Sequence, residues 1–232
     1  MAMMKDSYFI TATGTDLGKT WLTAGIVADC RAHGVPVRAL KPVMSGYDPN
    51  HPADSDAAKI GAGSTAEAIA AISPWRFAAP LSPDLAAARE GRQIDFEQLV
   101  GWCRKEIEAK GERGGLLLIE GIGGVMVPLD GEHTVRDWIA ALKLQTLLVC
   151  GTYLGALSHT LTALAALREV GVVPALIVVN ESPDSGVASV GVGLADTLTA
   201  LAPHAGRVPL LPLRRDHADD LTRLMQVLLR RA

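Results

Sequence analysis

Gly18-Lys19-Thr20 closes a small-residue turn that follows the apolar stretch Tyr8-Phe9-Ile10 and opens a run with helical periodicity. At a strand-to-helix turn the backbone N–H groups point inward and the helix dipole adds positive potential, so a phosphate suits it. Lys19 would reach the outer phosphates, and the Thr20 hydroxyl would ligate Mg²⁺. The spacing is imperfect: glycine is expected five residues before Gly18, where Thr13 stands, with Gly14 one place late and Ala12 one place early. The plainer alternative is an ordinary strand–turn–helix whose Gly-Lys-Thr is coincidental.

Other polar residues stand at the ends of apolar runs. Lys41 follows residues 35–40 and precedes Pro42, which keeps the chain extended. Beside a triphosphate its charge would stabilise negative charge building on the γ-phosphoryl; otherwise it is a solvated lysine leaving an edge strand. Ser45 is either a substrate contact or a turn hydroxyl. Glu120 precedes Gly121-Ile122-Gly123-Gly124. That is where phosphate-loop enzymes hold Mg²⁺ or its water, and the glycines admit a ligand close to the backbone; the alternative is a capping or exposed glutamate. Asp56 in Asp54-Ser55-Asp56 is a second magnesium carboxylate or a helix N-cap. Leu154-Gly155-Ala156-Leu157 opens a helix whose free N–H groups suit a carboxylate, apart from the phosphate turn. His159 reads as a surface or interface histidine. Asn180 offers an amide to a base edge, with a turn-forming asparagine as the equal alternative.

These residues need a scaffold that gathers strand ends. Short apolar runs at 8–11, 35–40, 116–119, 146–150 and 175–179, with a weaker one at 208–210, read as buried strands. Helical periodicity marks 19–33, 96–109, 154–170, 186–201 and 219–231. Residues 46–63 read as a long loop or short helix. Alternation of strand and helix predicts an α/β fold: one domain over residues 1–232, a parallel sheet covered by helices on both faces. In such sheets ligands bind beyond the carboxyl ends of the strands, where the polar residues stand.

Composition agrees. The 232 residues are 49% hydrophobic and only 4% aromatic, which suits helices rich in Ala, Leu and Val over parallel strands. A net charge of −3 with dispersed Lys and Arg leaves no nucleic-acid or membrane-surface footprint. Cys30, Cys103 and Cys150 form no Cys-x-x-Cys pair, so a reducing, cytoplasmic setting is expected. Neither a signal peptide nor a transmembrane helix is expected. Met1 to Met4 carry no argument, and residues 1–5 are expected to be disordered.

In order along the chain, Gly18-Lys19-Thr20, Lys41-Pro42-Val43 with Ser45-Gly46, Ser55-Asp56, Ser82-Pro83, Glu120-Gly121 with Gly123-Gly124, Leu154-Gly155 with His159, and Asn180 resemble the dethiobiotin synthetase family. The resemblance implies a homodimer of phosphate-loop NTPase fold. It would act on 7,8-diaminononanoate, CO₂ and MgATP, passing through a carbamate and a carbamic-phosphoric anhydride. It implies Lys41 and Lys19 as catalytic cations, and Thr20, Asp56 and Glu120 around Mg²⁺. Asp16, Leu17, Gly18, Lys19, Thr20 and Trp21 would line the phosphates, beside Gly121, Ile122 and Gly123. Asn180, Glu181, Pro209, Leu210 and Leu211 would serve the nucleotide base, with Asp216 a further candidate. Ser45 would contact the diamine, and Leu154, Gly155, Ala156 and Leu157 would hold its carboxylate, with part of the pocket supplied by the second subunit. The chain departs from the family pattern at Ala12, Ile122, Asp84 and Glu181. Alternatives are an amide-forming ligase of the cobyrinic acid diamide-synthase type, which would need a glutaminase domain or other ammonia source, and a MinD-like ATPase switch. The latter type carries an extra early loop lysine, absent from Thr11 to Thr15.

Overall fold

The six apolar runs pair into one sheet, its central strands almost fully buried and its edge strands β2 and β8 half-buried. The computed structural model describes residues 6–63, 65–182, 193–215 and 217–230. Its elements are β1 (Ser7–Ala12), α1 (Lys19–Ala32), β2 (Val37–Leu40), β3 (Val43–Ser45), α2 (Ala66–Ala70), β4 (Trp75–Phe77), α3 (Pro83–Arg89), α4 (Phe96–Arg113) and β5 (Leu116–Glu120). Then follow α5 (Val135–Leu142), β6 (Gln145–Cys150), α6 (Ala156–Glu169), β7 (Leu176–Asn180), α7 (Leu194–Ala205), β8 (Leu210–Leu213) and α8 (Ala218–Arg230). All residues of β1 and β5 are buried.

The main sheet runs β2-β5-β1-β6-β7-β8, every pair parallel. The chain moves one way along it from β1 to β2 and the other way in every later step. Right-handed crossovers then place α1 on one face and α4 to α7 on the other. Helix contacts match: α1 packs on α8, α4 on α5, and α6 on α7. The expected parallel sheet with two covered faces is what forms. β3 and β4 make a small parallel pair beside it.

Helix α5 has no counterpart in the expected set. Eight residues are too few for periodicity to stand out, and its start is set by polar chemistry: Asp137 accepts hydrogen bonds from the Thr134 N–H (2.8 Å) and hydroxyl (2.7 Å). The helix buries Trp138 against Phe9 of β1, rings edge-to-face at 4.9 Å. β8 begins two residues later than expected, at Leu210. The last crossover helix is described from Leu194; expected helix positions 186–192 lie outside the described residues, as do residues 1–5 and Asp216. Residues 46–63 hold a 3₁₀ turn, Pro52–Asp54, and a π-helical turn, Ala58–Ala62. No described helix is long and apolar enough to cross a membrane.

Asp137→Ala removes the acceptor at the start of α5 and is expected to cost about 1 kcal/mol, read from the urea midpoint at unchanged slope.

Candidate active site

The turn between β1 and α1 is fixed at several points. The Thr13 N–H donates to the Val149 carbonyl at 3.0 Å, and the Ala12 carbonyl accepts from Val125 N–H at 3.1 Å. Ala12 is a regular strand residue registered against Val149, so the place where the family has glycine demands no glycine conformation here. The left-handed positions are Asp16 (φ 57°) and Gly18 (φ 89°); aspartate tolerates this region better than most residues. Gly18 heads α1, and a Cβ there would meet the Asn180 amide. That amide donates from Nδ2 to the Leu17 carbonyl at 2.9 Å. A Cβ on Gly124 would press on the Thr13 and Gly14 backbone at 3.2 Å, so the turn after β5 lies directly against the phosphate turn.

Strand register delivers the charges. β2 and β5 pair Leu40 with Ile119, which sets Lys41 beside Glu120. Lys41 Nζ donates to Glu120 Oε1 at 2.6 Å and to the Gly121 carbonyl at 2.9 Å, and lies 3.4 Å from Asp56 Oδ2. The Thr20 hydroxyl donates to the same Glu120 oxygen at 2.7 Å. Lys19, buried in the turn, donates to the Gly14 carbonyl at 3.1 Å. Burial opposes the Lys41 charge, but Glu120 and Asp56 outweigh it and hold the ammonium above its ordinary value. For Lys19, burial first and the neighbouring Lys41 second prevail, and its pKa falls to about 8.

The oxygens fit a hard cation. Glu120 Oε2 is buried with no hydrogen-bond partner among the described residues, close to Thr20 and Asp56. No group of three or more His, Cys, Asp or Glu side chains able to hold a metal occurs among the described residues. A cation here would therefore share its ligands with phosphate and water, as Mg²⁺ does.

A cleft of about 820 Å³ gathers Asp16, Gly18, Lys19, Thr20, Trp21, Lys41, Ser45, Asp56, Ile122 and Gly123. Ile122 is thus part of its wall. Glu120 and Gly121 lie behind Lys41. A cavity of about 480 Å³ shares Asp16, Gly18 and Trp21 with the cleft and adds Leu17, Asn180, Glu181, Ser182 and Arg215. Pro209, Leu210 and Leu211, expected at the nucleotide base, line neither the cleft nor the neighbouring cavity. β8 pairs Leu210 with Ile177 and Leu213 with Asn180, so these three sit at the opposite end of the strand from the site, about 10 Å below its rim. Arg215, which no motif marked in the sequence, lines the cavity beside Asn180. Leu154, Gly155, Ala156 and Leu157 do head α6, with Gly155 at φ 99°, yet they do not line the cleft of the same chain. They adjoin a third cavity, about 670 Å³, walled by Gly14, Thr15, Met126, Tyr153 and His159. His159 Nδ1 there pairs with the Tyr153 hydroxyl at 2.7 Å. Asp84 lines a separate pocket beside Phe96 and His133.

The comparisons with known proteins agree with this geometry. A family model described as an AAA domain matches residues 6–216. The ATP-dependent dethiobiotin synthetase of Acidiphilium cryptum is 53% identical over 75% of this chain and 78% of its own length. That of Methylobacterium nodulans is 46% identical, covering 85% and 88%. The chain belongs to the dethiobiotin synthetase family. As a member it is an ATP-dependent ligase that forms C–N bonds. Solved structures share the fold alone. HypB of Helicobacter pylori, solved with nickel, superposes at TM-score 0.57 with 9% identity over 98% of this chain and 87% of that one. The MinC:MinD complex of Aquifex aeolicus gives 0.51 with 14% identity over 94% and 86%.

The buried Lys19 charge carries a testable cost in the nucleotide-free protein. Its folded value of about 8 lies below the unfolded one of 10.5, so the folded chain binds fewer protons between these values. Stability therefore rises with pH through that window, and the penalty, of order 1–3 kcal/mol, is complete below it. Lys19→Met is expected to raise the Tm of the nucleotide-free protein at pH 7, by about 2–4 °C per kcal/mol, with the gain shrinking towards pH 10.

Proposed function

We propose that this chain carboxylates and closes a ring on 7,8-diaminononanoate, using CO₂ and MgATP to give dethiobiotin, ADP and phosphate. The observation that carries the reading is the pairing of two buried cations, Lys19 and Lys41, with Ser45 on one cleft at the phosphate turn. A reaction that brings a carbamate up to a triphosphate must hold two anions together, and positioning plus opposing charge is what such a transfer needs.

One substrate amine adds to CO₂ and loses a proton, forming a carbamate. A carbamate oxygen attacks the γ-phosphorus, the bond to the ADP oxygen breaks, and a carbamic-phosphoric anhydride results. The second amine attacks the carbonyl carbon, phosphate leaves, and the five-membered ureido ring closes. Lys19 lies on the phosphates. Lys41, held as a cation by Glu120 and Asp56, meets the charge that builds on the transferring phosphoryl. Ser45 orients the diamine or its carbamate. Thr20, Asp56 and Glu120 would hold Mg²⁺, which would neutralise phosphate charge when bound. The α6 start takes the substrate carboxylate at its free N–H groups.

That last role favours a homodimer, since Leu154, Gly155, Ala156 and Leu157 do not line the cleft that holds Lys41 in the same chain. Leu154 is 76% exposed, and Met126 and Leu157 are exposed beside it, an apolar strip that a second copy would cover.

Purified protein mixed with diaminononanoate, labelled bicarbonate and MgATP is expected to make an acid-stable labelled ureido product. No such product, where a control enzyme makes one, overturns the reading. Lys41→Gln, which keeps donors for Glu120, is expected to lower kcat about 10²–10³-fold while the circular dichroism spectrum stays unchanged. Sedimentation is expected to find a dimer, and Leu154→Asp to give an inactive monomer; a fully active monomer would exclude a shared pocket.

A further inference from the structure

β6 and β7 last pair at Cys150 and Val179, and beyond that point side chains join the two segments. The Thr152 N–H donates to Ser182 Oγ at 2.9 Å, and the Ser182 N–H donates to Thr152 Oγ1 at 2.9 Å. Each hydroxyl serves the other residue's backbone, closing a ring past the strand ends. The seat is tight: Thr152 is buried, and a Cβ on Gly151 would stand 2.7 Å from Ser182 Oγ. Ser182 is fixed in turn from β8, because the Glu181 N–H donates to the Leu213 carbonyl at 2.9 Å.

What the ring holds is the approach to α6. Only Tyr153, Leu154 and Gly155 lie between Thr152 and Ala156, the first residue of that helix. No side chain caps the helix, so the aim of its first N–H groups depends on the turn before them. The Tyr153 carbonyl accepts from the Ala156 N–H at 2.9 Å, and the Gly155 carbonyl from the His159 N–H at 3.1 Å. Those bonds, like the one between Tyr153 and His159, join the turn to its own helix. The ring with Ser182 is what joins it to the neighbouring strand.

We propose that Thr152 is a positioning residue for the substrate carboxylate, its reciprocal bonds with Ser182 fixing the turn that aims the N–H groups at the α6 start. The inference rests on that start receiving the carboxylate of the diamine. Loss of the Thr152 hydroxyl leaves the Ser182 N–H without its acceptor, a cost of about tenfold in an equilibrium, while the sheet below stays paired.

The test compares the full chain with Thr152→Val and Thr152→Ser in steady-state kinetics. The diamine is either 7,8-diaminononanoate or 2,3-diaminooctane, the same molecule without its carboxylate. The substitution is made at Thr152 because this residue lines none of the three cavities, whereas Ser182 lines the one beside Asn180. Thr152→Val keeps the volume and is expected to raise KM for 7,8-diaminononanoate about 10-fold at nearly unchanged kcat. KM for MgATP and the rate with 2,3-diaminooctane are expected to match the parent, and Thr152→Ser to restore KM for the full substrate. Amide exchange at Ala156 and His159 is expected to quicken about 10-fold in Thr152→Val. Unchanged KM for 7,8-diaminononanoate, an equal loss with 2,3-diaminooctane or MgATP, no rescue by Thr152→Ser, or unchanged exchange would each overturn the positioning role. Absence of a ureido product from the parent, with exchange quickened in Thr152→Val, would overturn the ligase chemistry and leave the hold of Thr152 on the α6 start standing.

Discussion

The site depends on a register. With Leu40 beside Ile119, β2 and β5 end within one residue of each other, and Lys41 and Glu120 meet as a buried ion pair. Such a pair gives back little net stability, because each charge gives up its water. Its consequence is local: removing either partner strands the other in a low-dielectric interior, a far larger cost than the pair is worth. Lys41 is therefore held charged before any ligand arrives, and the Gly121 carbonyl and Asp56 fix where that charge sits.

The two lysines are unequally compensated. Lys41 has two carboxylates on it, whereas Lys19 donates to a backbone carbonyl. Burial and the neighbouring Lys41 disfavour the Lys19 charge, so an anion bound in the turn would stabilise it.

Much of this was legible because parallel sheets bury strands on both faces, so uninterrupted apolar runs announce them, and the polar residue ending each run announces the rim. Lys19, Lys41, Asp56 and Ser45 converge as their positions after strands imply. Where reading failed, the signal was short or polar. Helix α5 is eight residues set by Thr134 and Asp137. β8 carries Pro212 and a half-buried Leu210, which blurred its start by two residues. The Ala12 departure looked serious from spacing alone; the backbone shows that Asp16 and Gly18 carry the left-handed turns instead. That burden falls on φ angles, which a motif template does not record.

The phosphate turn is a thin partition. Thr15 lines both the cleft and the cavity beside α6, and Leu17 lines that cavity and the one beside Asn180. Its small residues let three compartments share one wall. The wall keeps its shape because Thr13, Ala12 and Leu17 are tied to β6, to the turn after β5 and to β7 respectively. None of those ties uses a group that phosphate needs. Only the Lys19 bond to the Gly14 carbonyl does. Phosphate entry therefore exchanges one neutral acceptor for an anionic one at Lys19, a stronger partner for an ammonium, while the remaining anchors keep the N–H groups aimed. The turn is preorganised except at the one contact that binding must replace.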